Sequence, residues 1–393
     1  MQSTLAENTI TVPLTQTSYF PALTGLRAVA AYMVYLHHFP LFEAYKSQDG
    51  TIQQKIYHMC DELHIGVAIF FCLSGFLIAH RYLNRVEFSV KWLAKYFRNR
   101  FARIYPIYFI LTCITFLLNW IYEDHNTMGL QITLKYHEEF LLIFGMNLTF
   151  LRGFSNFVKF SGIPQGWSLT VEETFYLFAP VILWASTKFN KWLSLVFFAC
   201  FFITTGLLLV YLFNLRPILG FMETYKFMWS YTFFGRCIEF LVGIALALLI
   251  RTRFQSSTSP SSIYTLVGTA LIMLCLYLLN QGDMGYKNKA ISYTGLLVNN
   301  VLLALAVAIL LLGLIKEKNA ITTFLSSKLI QLLGKSSYIF YLIHLGFITT
   351  WLKNAFSGFY LVKFGIVVLL SIAIYRLVEE PLNNYIRRKI TIG

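Results

Sequence analysis

The sequence predicts an all-α integral membrane protein: about ten transmembrane helices, a short re-entrant or interfacial helix, and both termini cytoplasmic. Three observations carry this. The 393 residues are 57% hydrophobic and only 13% charged, with a mean hydropathy of +0.62; a soluble domain averages about 25% charged residues. The apolar runs are continuous rather than alternating, which excludes the period-two pattern of a β-barrel. Lys and Arg are unevenly shared between the connecting segments, as the positive-inside rule requires.

Taken in order, the long apolar segments run near Ala22–Phe39, His64–Leu83, Arg103–Tyr122, Glu172–Thr187, Leu193–Phe213, Phe233–Ile250, Ile263–Leu279, Gly295–Ile315, Ser337–Leu352 and Phe359–Val378. Phe140–Phe150 is too short to span upright, so it is expected to be re-entrant or interfacial. Residues 1–21 form a polar N-terminal segment, 22–380 the membrane domain and 381–393 a basic tail. Met1–Tyr19 holds no Lys or Arg and no signal-peptide pattern, so the first span is expected to remain as an anchor. With the N-terminus inside, 19 basic residues fall in inner segments and 11 in outer ones. The acidic loop Glu43–Glu62 and the long segment Glu123–Gln165 then face outward.

The net charge of +14 follows from this loop bias and does not point to nucleic acid. The cysteines Cys60, Cys72, Cys113, Cys200, Cys237 and Cys275 are scattered through apolar runs without metal or CxxC spacing, and read as packing residues. His58, His64, His80, His125 and His137 lack convergent ligand spacing, so no metal site is expected, and no Gly-rich phosphate loop is present. Asn147-Leu-Thr149 is a formal glycosylation sequon of a kind common by chance.

Ionisable groups at membrane depth are costly and mark function by default. Arg27 and His38 lie in the first segment, eleven residues apart. On an α-helix that spacing puts them about 20° from a common face and roughly 16 Å apart along the axis. They can line one cavity without touching, while His37 points about 100° away. The structural alternative is that Arg27 snorkels to one headgroup layer and His38 anchors at the other.

This segment resembles the opening of the acyltransferase family 3 membrane proteins, the O-acyltransferases of bacterial cell-envelope glycans, with their Arg, ten residues, His motif. The resemblance continues in order. Phe70-Phe-Cys-Leu-Ser-Gly-Phe-Leu-Ile78, Arg98-Asn-Arg-Phe-Ala-Arg-Ile-Tyr-Pro106, Trp167-Ser-Leu-Thr-Val-Glu-Glu-Thr-Phe-Tyr176, Arg236-Cys-Ile-Glu-Phe-Leu-Val-Gly243, Ser337-Tyr-Ile-Phe-Tyr-Leu-Ile-His344 and Glu380-Pro381 are each similar to a family motif. Each piece is weak alone and the ordered set is strong. Ala68 departs, standing where many relatives carry an acidic residue. The esterase-like domain that some relatives append has no match in these residues, so a stand-alone version is expected.

The resemblance implies transfer of an acyl group, usually acetyl from acetyl-CoA, to a hydroxyl of an envelope glycan or lipid-linked sugar. Acyl-CoA is then a co-substrate and no bound cofactor is expected. His38 is the candidate general base, because neutral imidazole accepts and returns a proton near pH 7; a covalent acyl-imidazole is the competing route. Arg27 is assigned to a phosphate or amide of the donor, whose pantetheine arm has a length of the same order as the Arg27–His38 separation. Arg98, Arg100 and Arg103 read either as positive-inside bias or as a clamp for CoA phosphates. The family motifs place His344, Tyr338, Tyr176 and Trp167 in the acceptor site or cavity.

Thr170-Val-Glu-Glu173 fits a capping box, which makes Glu173 structural and leaves Glu172 to orient a histidine or bind acceptor hydroxyls. Arg236 and Glu239 read as an internal helix ion pair. Ser74-Gly75 reads as a close helix-packing spot. Pro381 is expected to stop the last helix, with Glu380 pairing a nearby cation. The alternative function is a transporter or flippase of a lipid-linked sugar or acylated solute. The motif set favours the enzyme, and no pair of matched broken helices is visible.

Overall fold

Every regular element among the described residues is helical, and no β-strand forms. The computed structural model describes residues 19–48, 50–122, 140–253, 258–281, 284, 292–355 and 359–388. Most of the expected N-terminal segment, the last residues of the tail, His125 and His137 lie outside them.

Helix α1 spans Pro21–His38, with Pro21 at the position where a missing N–H costs nothing. Helix α2, Ile52–Asp61, is capped by Thr51, whose hydroxyl accepts from the Gln54 amide at 3.2 Å. It runs through a short turn into α3, Gly66–Tyr82. Helices α4 (Val90–Tyr122), α5 (Phe140–Leu148), α6 (Trp167–Lys188), α7 (Lys191–Leu215), α8 (Tyr225–Tyr231), α9 (Phe233–Arg253) and α10 (Ile263–Leu279) follow. Then α11 (Tyr293–Leu297) passes through a π turn into α12 (Leu303–Lys316), followed by α13 (Ala320–Leu325), α14 (Lys328–Ile343) and α15 (Phe347–Ala355). Last come α16 (Tyr360–Ile374), a second π turn at Tyr375–Glu379, and α17 (Glu380–Arg388).

Among the described residues, six helical stretches are long and apolar enough to cross a membrane: Ile52–Tyr82, Val90–Ile121, Lys191–Leu215, Tyr225–Thr252, Tyr293–Lys316 and Tyr360–Ile386. Their outward faces stay apolar, with Leu193 68%, Leu208 56% and Leu369 68% exposed. Only lipid rewards such a surface. The protein is a multi-pass membrane protein. The other four expected spans are short, polar or broken: α1 carries Arg27 and two histidines, α6 carries Glu172 and Glu173, and α10 has 17 residues. Helix α5, at nine residues, is too short to cross. It packs on α4 through Phe116, Phe140 and Phe144.

Three local expectations are corrected. The ninth segment, Ser337–Leu352, is two helices, because the chain turns between α14 and α15 at Gly346, whose φ of +98° a side chain resists. Pro381 does not stop the last helix. It lies inside the continuous helical stretch Tyr360–Ile386, directly after the π turn, whose shifted register accommodates the missing N–H. Thr170 does not begin a helix: α6 starts three residues earlier at Trp167, so no capping box forms, and the Thr170 hydroxyl donates to the Phe150 carbonyl.

The core elements approach closely through glycine. A Cβ on Gly75 of α3 would meet the Phe240 carbonyl oxygen of α9 at 2.1 Å, and one on Gly243 would meet that of Cys72 at 2.2 Å. The Ser74-Gly75 reading as a packing spot therefore holds, though only for its glycine. Phe20 packs on Phe76, Tyr19 donates to Gln331, and Arg251 donates to the Leu83 carbonyl. These contacts gather the start of α1, the ends of α3 and α9, and the start of α14. This is the basic end of the molecule; His38 closes α1 at the opposite, histidine end. The buried side chain of Asn147 donates to the Ile143 carbonyl and to Ser161, which occupies the sequon.

Candidate active site

A cleft opens between α1, α3, α4, α6 and α14. Its polar lining is Arg27, Ser74, Arg100, Arg103, Ser168, Glu172, Tyr176, Tyr338 and Tyr341. Its apolar lining comes mostly from α3, including Phe70, Phe71 and Leu77. Helical spacing explains the choice of side chains: Glu172 and Tyr176 are one turn apart on α6, as are Arg100 and Arg103 on α4.

Glu172 is the polar centre of this cleft. Its carboxylate accepts from the Ser74 hydroxyl on α3 and from the Tyr176 hydroxyl on its own helix. Arg27 is drawn to Glu172, Tyr176 and Glu379 and opposed by Arg103. Arg100 is buried, 5.6 Å from the Tyr176 ring centre and 6.0 Å from that of Tyr82. Tyr338 is held by a 2.7 Å bond to the Ile104 carbonyl. Three arginines and Glu172 line the cleft, with Glu379 near Arg27 and Arg103, which makes it a site for a strongly polar ligand.

The cleft ends in a polar layer. Ser168 Oγ and Tyr341 Oη are 2.8 Å apart, and Ser168 also bonds the Gln165 carbonyl at 2.8 Å. The Phe70 ring packs on Tyr341 at 5.8 Å. Beyond this layer lies His344, fully buried at the end of α14. Its Nδ1 lies 2.8 Å from the Tyr341 carbonyl oxygen and 3.3 Å from the Gln165 amide. A carbonyl only accepts, so Nδ1 carries the proton and Nε2 the lone pair. That Nε2 is buried without a hydrogen-bond partner among the described residues.

The His38 ring is exposed, 5.4 Å from the His344 ring and 4.8 Å from that of His37. His37 turns the other way, its Nδ1 donating to the Asp61 carbonyl at 2.5 Å. Its ring lies 5.5 Å from that of His64, which is 3.2 Å from the Asn299 amide oxygen. The expectation that Arg27 and His38 line one cavity is corrected: Arg27 lines the cleft, and His38 stands on the far side of the Ser168–Tyr341 layer. Among the described residues no three His, Cys, Asp or Glu side chains converge as metal ligands.

The other predicted residues divide. Arg100, Arg103, Glu172, Tyr176 and Tyr338 share the cleft with Arg27. Arg98 is exposed and does not line it, because two residues along a helix it faces away. Trp167 packs edge-on against Tyr231 at 4.9 Å, and its neighbour Ser168 takes the place at the cleft. Arg236 and Glu239 form a buried bidentate pair at 2.7 Å, as their spacing predicts. Sequence reasoning missed Ser168 and Gln165, and passed over Glu379 for Glu380. Glu380 accepts from Tyr375 at 3.1 Å, whereas Glu379 faces Arg27 and Arg103. Polar side chains inside apolar runs were the available signal.

Residues 20–376 match a family model described as an acyltransferase domain. The chain belongs to this acyltransferase family. It is therefore an acyltransferase, with an acyl donor and an acceptor as substrates. An acyltransferase of Streptomyces mycarofaciens, MdmB, is 23% identical over 94% of this chain and 93% of its own length. A putative O-acetyltransferase of Staphylococcus aureus (strain COL) is 21% identical over 93% of this chain but only 58% of its own length. An uncharacterised protein of Haemophilus influenzae is 29% identical over 54% of this chain and 86% of its own length. No solved structure matches. The matched region spans both the cleft and the histidine end.

Proposed function

We propose that this protein is an O-acetyltransferase of the bacterial cytoplasmic membrane, with both termini inside. It moves acetyl from cytoplasmic acetyl-CoA to a hydroxyl of a cell-envelope saccharide or lipid-linked sugar. One observation carries the reading: the cleft gathers Arg27, Arg100 and Arg103 at its basic end and stops, one hydrogen-bonded layer deep, against a pair of imidazoles. The cations suit the phosphates and amides of a CoA thioester. The imidazoles suit an acceptor arriving from the opposite side.

In this mechanism the thioester lies along the cleft, its carbonyl brought past the Ser168–Tyr341 layer. Neutral His38 takes the proton of the acceptor hydroxyl as its oxygen attacks the carbonyl carbon. The C–S bond then breaks, and the CoA sulfur leaves with the proton that His38 returns. The Ser168 and Tyr341 hydroxyls are satisfied by one another and by the Gln165 carbonyl, and serve the step as the partition that the thioester crosses. Glu172 keeps the cleft polar and holds Ser74 and Tyr176 in register.

The test is transfer from radiolabelled acetyl-CoA by purified protein, with mass spectrometry of envelope glycans from cells with and without it. A gain of one acetyl group at one sugar, lost with His38→Ala, is the expected result. Unaltered glycans and no turnover of acetyl-CoA would sink the proposal and leave the transporter reading.

A further inference from the structure

A second cavity lies beside the active-site cleft at the basic end. It is an open groove lined by Lys328, Gln331, Leu332, Lys335, Tyr375, Arg376 and Glu380. One wall is the first two turns of α14; the other is the π turn between α16 and α17.

We propose that this groove binds the outer, nucleotide end of the donor, the adenine, 3′-phosphate and outer phosphate of the diphosphate, while the cleft takes the inner phosphate, the pantetheine arm and the thioester. The inference rests on acyl-CoA as the donor.

Three features support it. First, the groove neighbours the cleft along both walls. Lys335 is one turn from Tyr338, which lines the cleft, and Arg376 is one turn from Glu379, whose carboxylate is drawn to Arg103 and Arg27. Second, its charge is unbalanced. Lys328, Lys335 and Arg376 are exposed, and among the described residues none has a carboxylate within ion-pair distance. The one acidic wall residue, Glu380, accepts from the Tyr375 hydroxyl at 3.1 Å. Third, the groove offers more than charge: Tyr375 and Leu332 give a flat, partly apolar surface for a base, and Arg376 supplies the planar fork that matches phosphate oxygens. The cleft cations Arg27, Arg100 and Arg103 are then left for the inner part of the donor.

A phospholipid headgroup shares the phosphate chemistry, and the experiment separates the two. Full-length wild type and the Lys335→Gln/Arg376→Gln variant are placed in nanodiscs of phosphatidylcholine alone or with phosphatidylglycerol. Two measurements follow: equilibrium binding of CoA, dephospho-CoA and pantetheine, and the KM and kcat for acetyl-CoA and S-acetylpantetheine. Loss of two phosphate contacts is expected to weaken CoA binding and raise the acetyl-CoA KM on the order of tenfold or more. kcat, pantetheine binding and the S-acetylpantetheine KM stay within about twofold, since that donor never reaches the groove.

Equal effects on both donors, or none, overturn the proposal. So does a loss that appears only with phosphatidylglycerol, which assigns the groove to lipid. If wild type binds no CoA and turns over neither donor, the acyl-CoA reading itself fails. If wild type uses both and the variant matches it, only the groove assignment fails.

Discussion

Ser168 on α6 and Tyr341 on α14 join hydroxyl to hydroxyl at 2.8 Å, between the cleft that holds Arg27 and the histidine end that holds His38. With Phe70 packed on the Tyr341 ring, this contact closes the cleft floor. On the proposed reading, a donor bound in the cleft is kept from the acceptor side until the layer yields. Tyr341→Phe keeps the ring and loses one hydrogen bond, so it should retain most transfer. Tyr341→Ala opens the floor and should raise acetyl-CoA hydrolysis relative to transfer. Product analysis with labelled donor reads the ratio; the same ratio in both variants would mean the layer does not separate the two sides.

The histidine pair gives a contrast in one chemical type. His38→Ala should lower transfer by about 10²-fold or more, the usual scale for a general base. His37→Ala removes a ring tethered to the Asp61 carbonyl and should leave turnover within about tenfold, with a lower melting temperature from the lost hydrogen bond. His344→Gln should raise the acceptor KM or lower kcat without changing donor KM. Steady-state kinetics on the three variants checks this, and equal activity of the His37 and His38 variants would remove His38 from the chemistry.

Arg27→Lys keeps the charge and loses the guanidinium fork. In a cleft where Arg27 faces Glu172, Tyr176 and Glu379, the shorter donor set should raise the donor KM several-fold with kcat changed less. Unchanged donor affinity and turnover would release Arg27 from donor binding.

Helix packing predicts stability directly. A methyl on Gly75 would sit 2.1 Å from the Phe240 carbonyl oxygen, and backbone cannot rotate away. Gly75→Ala should therefore cost about 1–3 kcal/mol by overpacking. Gly365→Ala, where a Cβ meets nothing within 4 Å, should cost far less. Thermal unfolding in detergent compares the two.

Glu317 supplies a pH-dependent case outside the spans. Burial pushes its carboxyl up, but bonds from the Thr265 hydroxyl and amide, the Tyr264 amide and Ser261 outweigh this and hold it below its ordinary value. A depressed folded value means the stabilisation is present above the unfolded value and fades as pH falls through the folded one. Glu317→Ala should cost about 1–3 kcal/mol at pH 7 by leaving the start of α10 uncapped. The gap in melting temperature from wild type should narrow as pH drops below about 4.

How far the site was legible depends on the kind of information each residue carries. Arg27, Arg100, Arg103, Glu172, Tyr176 and Tyr338 stand out as polar groups in apolar runs or in family motifs, and the cleft brings them together. Ser168 and Gln165 were not legible, because a small polar residue near a helix start is ordinary in any sequence. Glu379 lost to Glu380 because adjacent residues differ only in the face they present, and the π turn shifts that face by a fraction of a turn. Arg98 and Trp167 failed the same way.

The sequence alone determined that this chain lives in lipid, that it is helical, and that it belongs to an acyltransferase family. Those conclusions rest on composition, periodicity and ordered motifs, which are properties of the chain read locally. Helical geometry also determined that Arg27 and His38 are roughly 16 Å apart on one face. Only the tertiary structure decided that a serine of α6 and a tyrosine of α14 stand between them. A shared helix face is set by spacing within one segment; what fills the space beside it is set by segments more than a hundred residues away.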